Sequence, residues 1–416
     1  MAVGRWLRGL FGGNEEPAPS APPVSARPQG PATFAGQNNQ FACAMFAQLQ
    51  RQPDNVFFSP FGIRMALGMT QAGARGATAV QMRQALFVPT ADETLHVLLA
   101  EFQKRLDAAG GRNCELVVAN SLFVQDGAPL LPVFLGMITR HYGGGMNLVD
   151  FQGAAETARD AINRWVEQAT RERIRDLIPA GGVGERTRLV LVNAIYFKGM
   201  WMLPFPRSAT QEQPFHVLGG GSVQVPLMHQ QERVRYFEGP GYQAVDLHYV
   251  GGDLSMLVLL PDEPEGLAGL EQSLSAGLLH ECDLRMAVRE VELFLPRFEI
   301  HWGTVDLRGP LGALGMKLAF EPDEADFYGI NGLRPPHEGA LYVSAVFHQA
   351  FVEVNEEGTE AAAATAVEIF TMAMRPSQPS PVPVFRADHP FVFAIRDRKS
   401  GAVLFLGRVL DPARGR

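Results

Sequence analysis

Residues Asn355 to Phe385 read NEEGTEAAAATAVEIFTMAMRPSQPSPVPVF, and two conformations compete for them. Alanine is the best helix former, and Thr359 is placed to cap a helix through the alanine run. Taken as an extended strand, the same residues alternate between two faces. Thr359, Ala361, Ala363, Thr365, Val367 and Ile369 fall on one face, uncharged throughout and small at the start. Glu360, Ala362, Ala364, Ala366, Glu368 and Phe370 fall on the other. No proline interrupts Asn355 to Arg375, so every amide there can donate to a ladder. Pro376, Pro379, Pro381 and Pro383 then keep the remainder out of any central strand. The segment suits a loop in one state and a half-buried central strand in another.

The flanking sequence supplies strands for such a segment to join. Leu341 to Val354 is a long strand candidate on its N-terminal side. Phe391 to Ile395 and Ala402 to Val409 form a hairpin around Arg398-Lys399-Ser400-Gly401 on the other. Further upstream, RLVLVNAIYF (Arg188 to Phe197) is apolar enough for a strand buried on both faces. Shorter strand signals follow at Val223–Met228, Arg233–Phe237, Gln243–Tyr249, Ser255–Leu260 and Val291–Phe298. Helical spacing dominates the first half: Phe34 to Gln52, Ile63 to Gln71, Thr78 to Ala85, Asp92 to Leu106 and Ala155 to Ile174. Helices first and strands later predict an α+β fold rather than repeated βαβ units.

Composition narrows the function. At 46% hydrophobic and 19% charged residues, most of the 416-residue chain can bury a core. A formal charge of −8 argues against a general nucleic-acid binder or a polybasic membrane surface. No apolar run reaches the roughly 18 residues of a membrane span. Cys43, Cys114 and Cys282 are scattered and odd in number, so the fold does not depend on a disulfide framework. There is no HExxH or paired CxxC for a metal, no phosphate-cradling GxxxxGK[ST] and no GxSxG elbow. No metal, cofactor or enzymatic activity is therefore expected.

Residues 1–33 form a separate N-terminal tail. In MAVGRWLRGLFGG, Arg5 and Arg8 break any secretory apolar core. The Pro- and Ala-rich stretch after it cannot bury enough apolar surface to offset the entropy of ordering. The tail thus reads as disordered rather than as an interfacial anchor. The folded domain is expected over 34–416 and in the cytoplasm, with export by another route as the alternative.

Several ordered motifs carry a family resemblance. Asn55-Val56-Phe57-Phe58-Ser59-Pro60 begins the series, and Ile162-Asn163-Arg164-Trp165-Val166 with Thr170, Ile174, Leu177 and Ile178 continues it. Val192 to Gly199 with Trp201 gives VNAIYFKGxW, and Glu356 to Ala363 gives EEGTEAAA. FRADHPFVFAI (Phe385 to Ile395) and Phe405-Leu406-Gly407-Arg408-Val409 complete it. Over about Phe34 to Pro412 the chain resembles the serpins.

That resemblance implies a large central β-sheet with further sheets, N-terminal helices and an exposed reactive-centre loop at about 356–384. It further implies a monomeric suicide-substrate inhibitor of serine proteases. The protease attacks the loop and forms an acyl-enzyme. The cut loop then enters the central sheet as a strand of about 16 residues, roughly 50 Å long. A metastable native state supplies the energy. Gly358, Thr359, Glu360 and Ala361, Ala362, Ala363 and Ala364 match the loop hinge of inhibitory members, small and uncharged on the inserting face. Counting Glu356 as first, the seventeenth residue is Met372, which places the reactive bond at Met372–Ala373 and suits a chymotrypsin- or elastase-like pocket. Phe370 and Arg375 are the other choices, although Pro376 after Arg375 disfavours cleavage there.

The resemblance also marks the residues that let the sheet part. Ser59, Asn193 and His348 match a polar cluster under its centre. Gly62 replaces the family's usual serine there, which predicts a looser or water-filled cluster. Trp201, Arg297 and Glu356 match the upper opening point, with Arg297 in place of the usual lysine and able to pair bidentately with Glu356. Glu172 stands where the family usually has glycine. No Lys/Arg cluster lies on Asp92 to Leu106, so no heparin-type site is expected. The alternative function is a noninhibitory serpin acting as a binding or chaperone-like protein, and an unrelated α+β enzyme is a more distant one.

Overall fold

A computed structural model describes residues 33–88, 94–109, 114–359 and 381–414. In chain order the elements are α1 (Phe34–Leu49), β1 (Val56–Phe58), α2 (Pro60–Gln71), α3 (Gly76–Ala85), α4 (Thr94–Ala109), β2 (Cys114–Gln125), α5 (Pro132–Tyr142), β3 (Met146–Val149) and α6 (Phe151–Ala169). Then come β4 (Leu189–Met200), β5 (Gln211–His216), β6 (Ser222–Gly239), β7 (Tyr242–His248), β8 (Leu254–Pro261), α7 (Leu267–Ser273), α8 (Ala276–Arg285), β9 (Ala287–Pro296) and β10 (Phe298–Asp306). The chain closes with α9 (Arg308–Ala313), α10 (Tyr328–Asn331), β11 (Val343–Asn355), β12 (Gly358–Thr359), β13 (Val384–Arg386), β14 (Phe391–Asp397) and β15 (Val403–Val409).

Two sheets organise the molecule, as an α+β fold requires. The six-stranded sheet runs β10-β11-β12-β4-β2-β3. The other follows β1-β15-β14-β8-β7-β6-β9-β13, with β5 paired to β6. β4 is buried from Leu189 to Phe197 because both faces are covered. On one face Val190, Val192 and Ala194 pack with Ile162 and Val166 of α6. On the other, Leu189, Leu191, Ile195 and Phe197 join the main core.

Two strand readings change. Val223–Met228 and Arg233–Phe237 are one continuous strand, β6, whose polar middle residues pair with β9. Val291–Phe298 is two strands, because the chain leaves β9 at Pro296 and starts β10 at Phe298 in the other sheet.

The helix ends follow their sequence signals. Ser59 caps α2 by accepting the Gly62 amide at 3.0 Å. α6 stops at Thr170, whose Oγ1 bonds back to the Val166 carbonyl at 2.8 Å. Beyond it Arg171 and Glu172 turn through positive φ of 51° and 64°. The missing glycine is therefore replaced by a glutamate held in the left-handed region. Cys43 and Cys282 are free thiols, and burial pushes them up to about 12 and about 11.

Candidate functional site

The pairing of β4 with β11 changes along its length, and that change defines the site. From Val343–Leu189 to Phe351–Tyr196 the two strands pair directly and in parallel. Above that point β12 separates them. Thr359 pairs antiparallel with Gly199 on one side and Val354 on the other, and Gly358 pairs with Met200 and Asn355. The expected hinge thus begins as a strand between the two sheet strands rather than as the first turn of a helix.

Each of these two residues fits for a separate reason. Gly358 has φ +152°, and a Cβ there would lie 2.0 Å from the Gly199 carbonyl oxygen. Only glycine can pass so close to β4. Thr359 is fully buried, and its hydroxyl meets the Tyr249 hydroxyl at 2.8 Å. Tyr249 is stacked on Trp201 with centroids 4.7 Å apart. The indole of Trp201 donates to the Asn355 carbonyl at 3.0 Å, and its amide donates to Glu357 at 2.8 Å.

Glu356 is buried beside them and carries the charge of this corner. Its Oε1 is ion-paired with Arg297 Nη2 and accepts the Thr210 hydroxyl at 2.6 Å. Burial pushes the carboxyl up, but the bonds from Arg297 and Thr210 outweigh it and hold the group below its usual range. Trp201, Arg297 and Glu356 therefore meet at the point where β11 leaves β4. Tyr249 and Thr210 belong to the same corner and carry no motif signal, because Tyr249 reaches it from the end of β7 through a bridge to Trp201 and Thr210 from just before β5.

Lower down, Ser59, Asn193 and His348 also converge. His348 and Asn193 face each other across β11 and β4, and Asn120 of β2 faces Asn193 from the other side. His348 Nδ1 donates to Asn193 Oδ1 at 2.6 Å, while Nε2 accepts the Ser59 amide at 3.3 Å. The Ser59 hydroxyl donates to the Leu404 carbonyl at 2.7 Å, and Asn193 Nδ2 donates to Asn120 Oδ1. Complete burial drives His348 down to about 3, so the ring is neutral at physiological pH. The cluster is tighter than the Gly62 substitution predicts. A Cβ at Gly62 would stand 2.6 Å from Asn193 Nδ2, so the amide fills the space that a side chain would take. Asn120 is the member that the sequence reading missed, and only its register opposite Asn193 identifies it.

Glu360, Ala361, Ala362, Ala363, Ala364, Met372 and Ala373 lie outside the described residues, as do residues 1–32. Among the described residues no three His, Cys, Asp or Glu side chains gather in a way that could hold a metal ion. No helix among them is long and apolar enough to cross a membrane.

Comparison with known proteins gives a consistent picture. Residues 36–412 match the family described as Serpin (serine protease inhibitor). The leukocyte elastase inhibitor of Sus scrofa is 40% identical over 390 residues, which cover 91% of this chain and 99% of that protein. An uncharacterized serpin-like protein of Thermococcus kodakarensis is 40% identical over 379 residues, covering 91% and 85%. Among solved structures, uncleaved ovalbumin superposes with a TM-score of 0.80 at 30% identity, covering 91% of this chain and all of that one.

Proposed function

The chain belongs to the serpin family, and from that premise we propose that it is a suicide-substrate inhibitor of serine proteases. Protease inhibition in general accords with relatives that are named elastase inhibitors. The observation that carries the mechanism is the seat of Gly358 and Thr359 between β4 and β11, directly above the place where those strands still pair with each other.

Continuing that register predicts what the cut loop does. If Thr359 lies opposite Gly199, then Ala361, Ala363, Thr365, Val367 and Ile369 fall opposite Phe197, Ile195, Asn193, Leu191 and Leu189. The apolar members of that β4 set face the main core. Glu360, Ala362, Ala364, Ala366 and Glu368 fall opposite Lys198, Tyr196, Ala194, Val192 and Val190, of which the last three include the residues under α6. From Ala361 to Ala364 the inserting residues are small on both faces, so the strand enters without forcing the core apart. Glu360 arrives beside Lys198, and Thr365 arrives at the Asn193 cluster.

The chemistry begins with attack of the protease serine on the Met372 carbonyl. The Met372–Ala373 bond breaks, and the segment starting at Ala373 leaves with a new amino terminus, so the protease remains acylated by Met372. The thirteen residues that follow Thr359, from Glu360 to Met372, at about 3.3 Å each, then carry the acylated protease roughly 43 Å along the sheet. Deacylation loses the race once the protease is dragged from its working geometry. A chymotrypsin- or elastase-like enzyme suits Met372, and the inhibitor acts as a monomer.

Incubation with a panel of serine proteases tests this reading. The expected result is an SDS-stable complex, a released peptide whose first residue is Ala373, and a cleaved form that melts well above the intact one. Cleavage with neither a complex nor a rise in melting temperature would overturn it in favour of the noninhibitory alternative.

A further inference from the structure

Behind the upper opening point lies a half-enclosed cavity of about 120 Å³. Trp201, Phe205, Val234 and Leu247 form its apolar walls, and Arg233, Arg235, Asp246 and His248 supply its polar side chains. Its volume is of the order of the ~150 Å³ that takes up a benzene ring.

The buried charges beside the cavity pair with one another, and one cation is left over at its exposed edge. Asp246 is fully buried and already committed, with Arg396 Nη2 at 3.1 Å and Arg235 Nη1 at 3.3 Å. Arg235 also donates to the Asp283 carbonyl at 2.7 Å. Arg233 enters no ion pair among the described residues. His248 Nε2 is shielded from solvent without a hydrogen-bond partner, and it stands 3.6 Å from Asp246 Oδ2, beyond hydrogen-bond reach. With Arg235 and Arg396 matched by Asp246 and Asp283, the positive charge left in the lining is that of Arg233. An apolar, ring-sized space with an unmatched cation and an unused imidazole nitrogen selects a small amphipathic anion.

We propose that this cavity binds a small aryl or short-chain carboxylate, its apolar body against Phe205, Val234 and Leu247 and its carboxylate on Arg233 and His248. The occupant is coupled to the hinge through the backbone. The wall from Trp201 to Phe205 donates two amides to the hinge base, Trp201 to Glu357 at 2.8 Å and Phe205 to Glu356 at 2.9 Å. A ligand that fixes this wall holds the seated hinge in place, and a seated hinge in turn favours the ligand. The effect on inhibition rests on the suicide-substrate reading; binding and its coupling to the hinge do not.

Calorimetric titration of the intact chain tests binding without any protease. The probes are 4-phenylbutyrate and its uncharged amide, 4-phenylbutyramide. The acid is expected to bind about tenfold more tightly than the amide, the scale of one charge-assisted hydrogen bond. Arg233→Gln, at an exposed position, is expected to abolish that preference, and His248→Gln to reduce it. Equal binding of acid and amide by the native chain, or no saturable binding of the acid, overturns the site without reliance on a variant's folding. Hydrogen exchange at the Thr359 amide is expected to slow when the acid is bound. Unchanged exchange at saturation overturns the coupling. Failure of protease inhibition with acid binding intact would count against the inhibitor reading alone.

Discussion

Replacing Thr359 with arginine puts the insertion model under the most direct strain. Thr359 is fully buried, its hydroxyl lies 2.8 Å from that of Tyr249, and Tyr249 is held between Trp201 at 4.7 Å and Phe197 at 4.9 Å. The Glu356 carboxylate beside this nest of rings is already engaged by Arg297 and Thr210. A guanidinium forced into it loses its hydration without a partner, at a cost of several kcal/mol. Every 1.4 kcal/mol added to the barrier slows a step about tenfold, so a penalty of about 3 kcal/mol slows insertion more than a hundredfold. Deacylation proceeds at its own rate, and the slowed loop now loses to it. The stoichiometry of inhibition against an elastase- or chymotrypsin-like protease should rise from near one to above ~10, with cleaved inhibitor in place of complex. Thr359→Val provides the control. It removes one hydrogen bond worth about 1 kcal/mol but keeps shape and neutrality, so it should remain an inhibitor. If Thr359→Arg forms complex with unchanged stoichiometry, residue 359 does not enter the sheet interior and the reasoning fails.

Four further outcomes are expected. Met372→Arg should move preference toward trypsin-like enzymes, read from association rates against a protease panel; no change would place the reactive bond elsewhere. Gly62→Ala sets a methyl 2.6 Å from Asn193 Nδ2 and should destabilise the intact chain by about 1–3 kcal/mol, while an unaltered denaturant midpoint would show that Asn193 yields freely. His348 has its folded pKa lowered to about 3 from 6.5. The unfolded chain therefore binds the extra proton first, so this residue's contribution is present above pH 6.5 and is lost as pH falls toward 3. His348→Gln should flatten the stability profile in that window relative to wild type, and parallel profiles would refute the assignment. Glu172→Gly relieves a left-handed glutamate at φ 64° and should raise the melting temperature by about 1–2 °C, with a gain of under ~1 kcal/mol; a fall would mean that its contact with Arg175 at 3.2 Å outweighs the strain.

Sequence reading reached furthest where a single residue pattern has a single physical solution. The apolar run of β4 has no polar face to expose, so it had to lie between two covered faces. Reading failed where neighbours in space decide the outcome. The middle of β6 carries Gln230, Gln231, Glu232 and Arg233, which look like a loop until β9 pairs with them. Val291 to Phe298 looks like one strand, yet Arg297 bonds to the Pro226 carbonyl where the chain passes between sheets. Asn120, Thr210 and Tyr249 are ordinary polar residues in sequence; register or a turn makes them part of the site. The alanine run beginning at Ala361 left helix and strand both open by propensity, and the seating of Gly358 and Thr359 establishes only how the segment starts.

Under the proposed mechanism, the same register explains why a spring-loaded state persists. In the closed form β4 and β11 satisfy each other through the parallel ladder from Val343–Leu189 to Phe351–Tyr196. Under the proposed mechanism each residue that enters breaks one rung of that ladder and forms rungs on two sides, both antiparallel. The exchange adds backbone hydrogen bonds and buries small side chains, so it runs downhill once started. It cannot start cheaply, because the first rungs to break below Phe351 sit close above the buried His348–Asn193–Ser59 cluster, where polar groups stripped of partners are costly. An intact loop is also anchored at its far end, where Phe385 and Arg386 pair with Leu293 and Phe294 of β9. Insertion of the full length would require this anchor to tear. Under the proposed mechanism, cutting Met372–Ala373 removes that restraint while leaving the N-terminal half attached to β11, and this asymmetry makes cleavage the trigger.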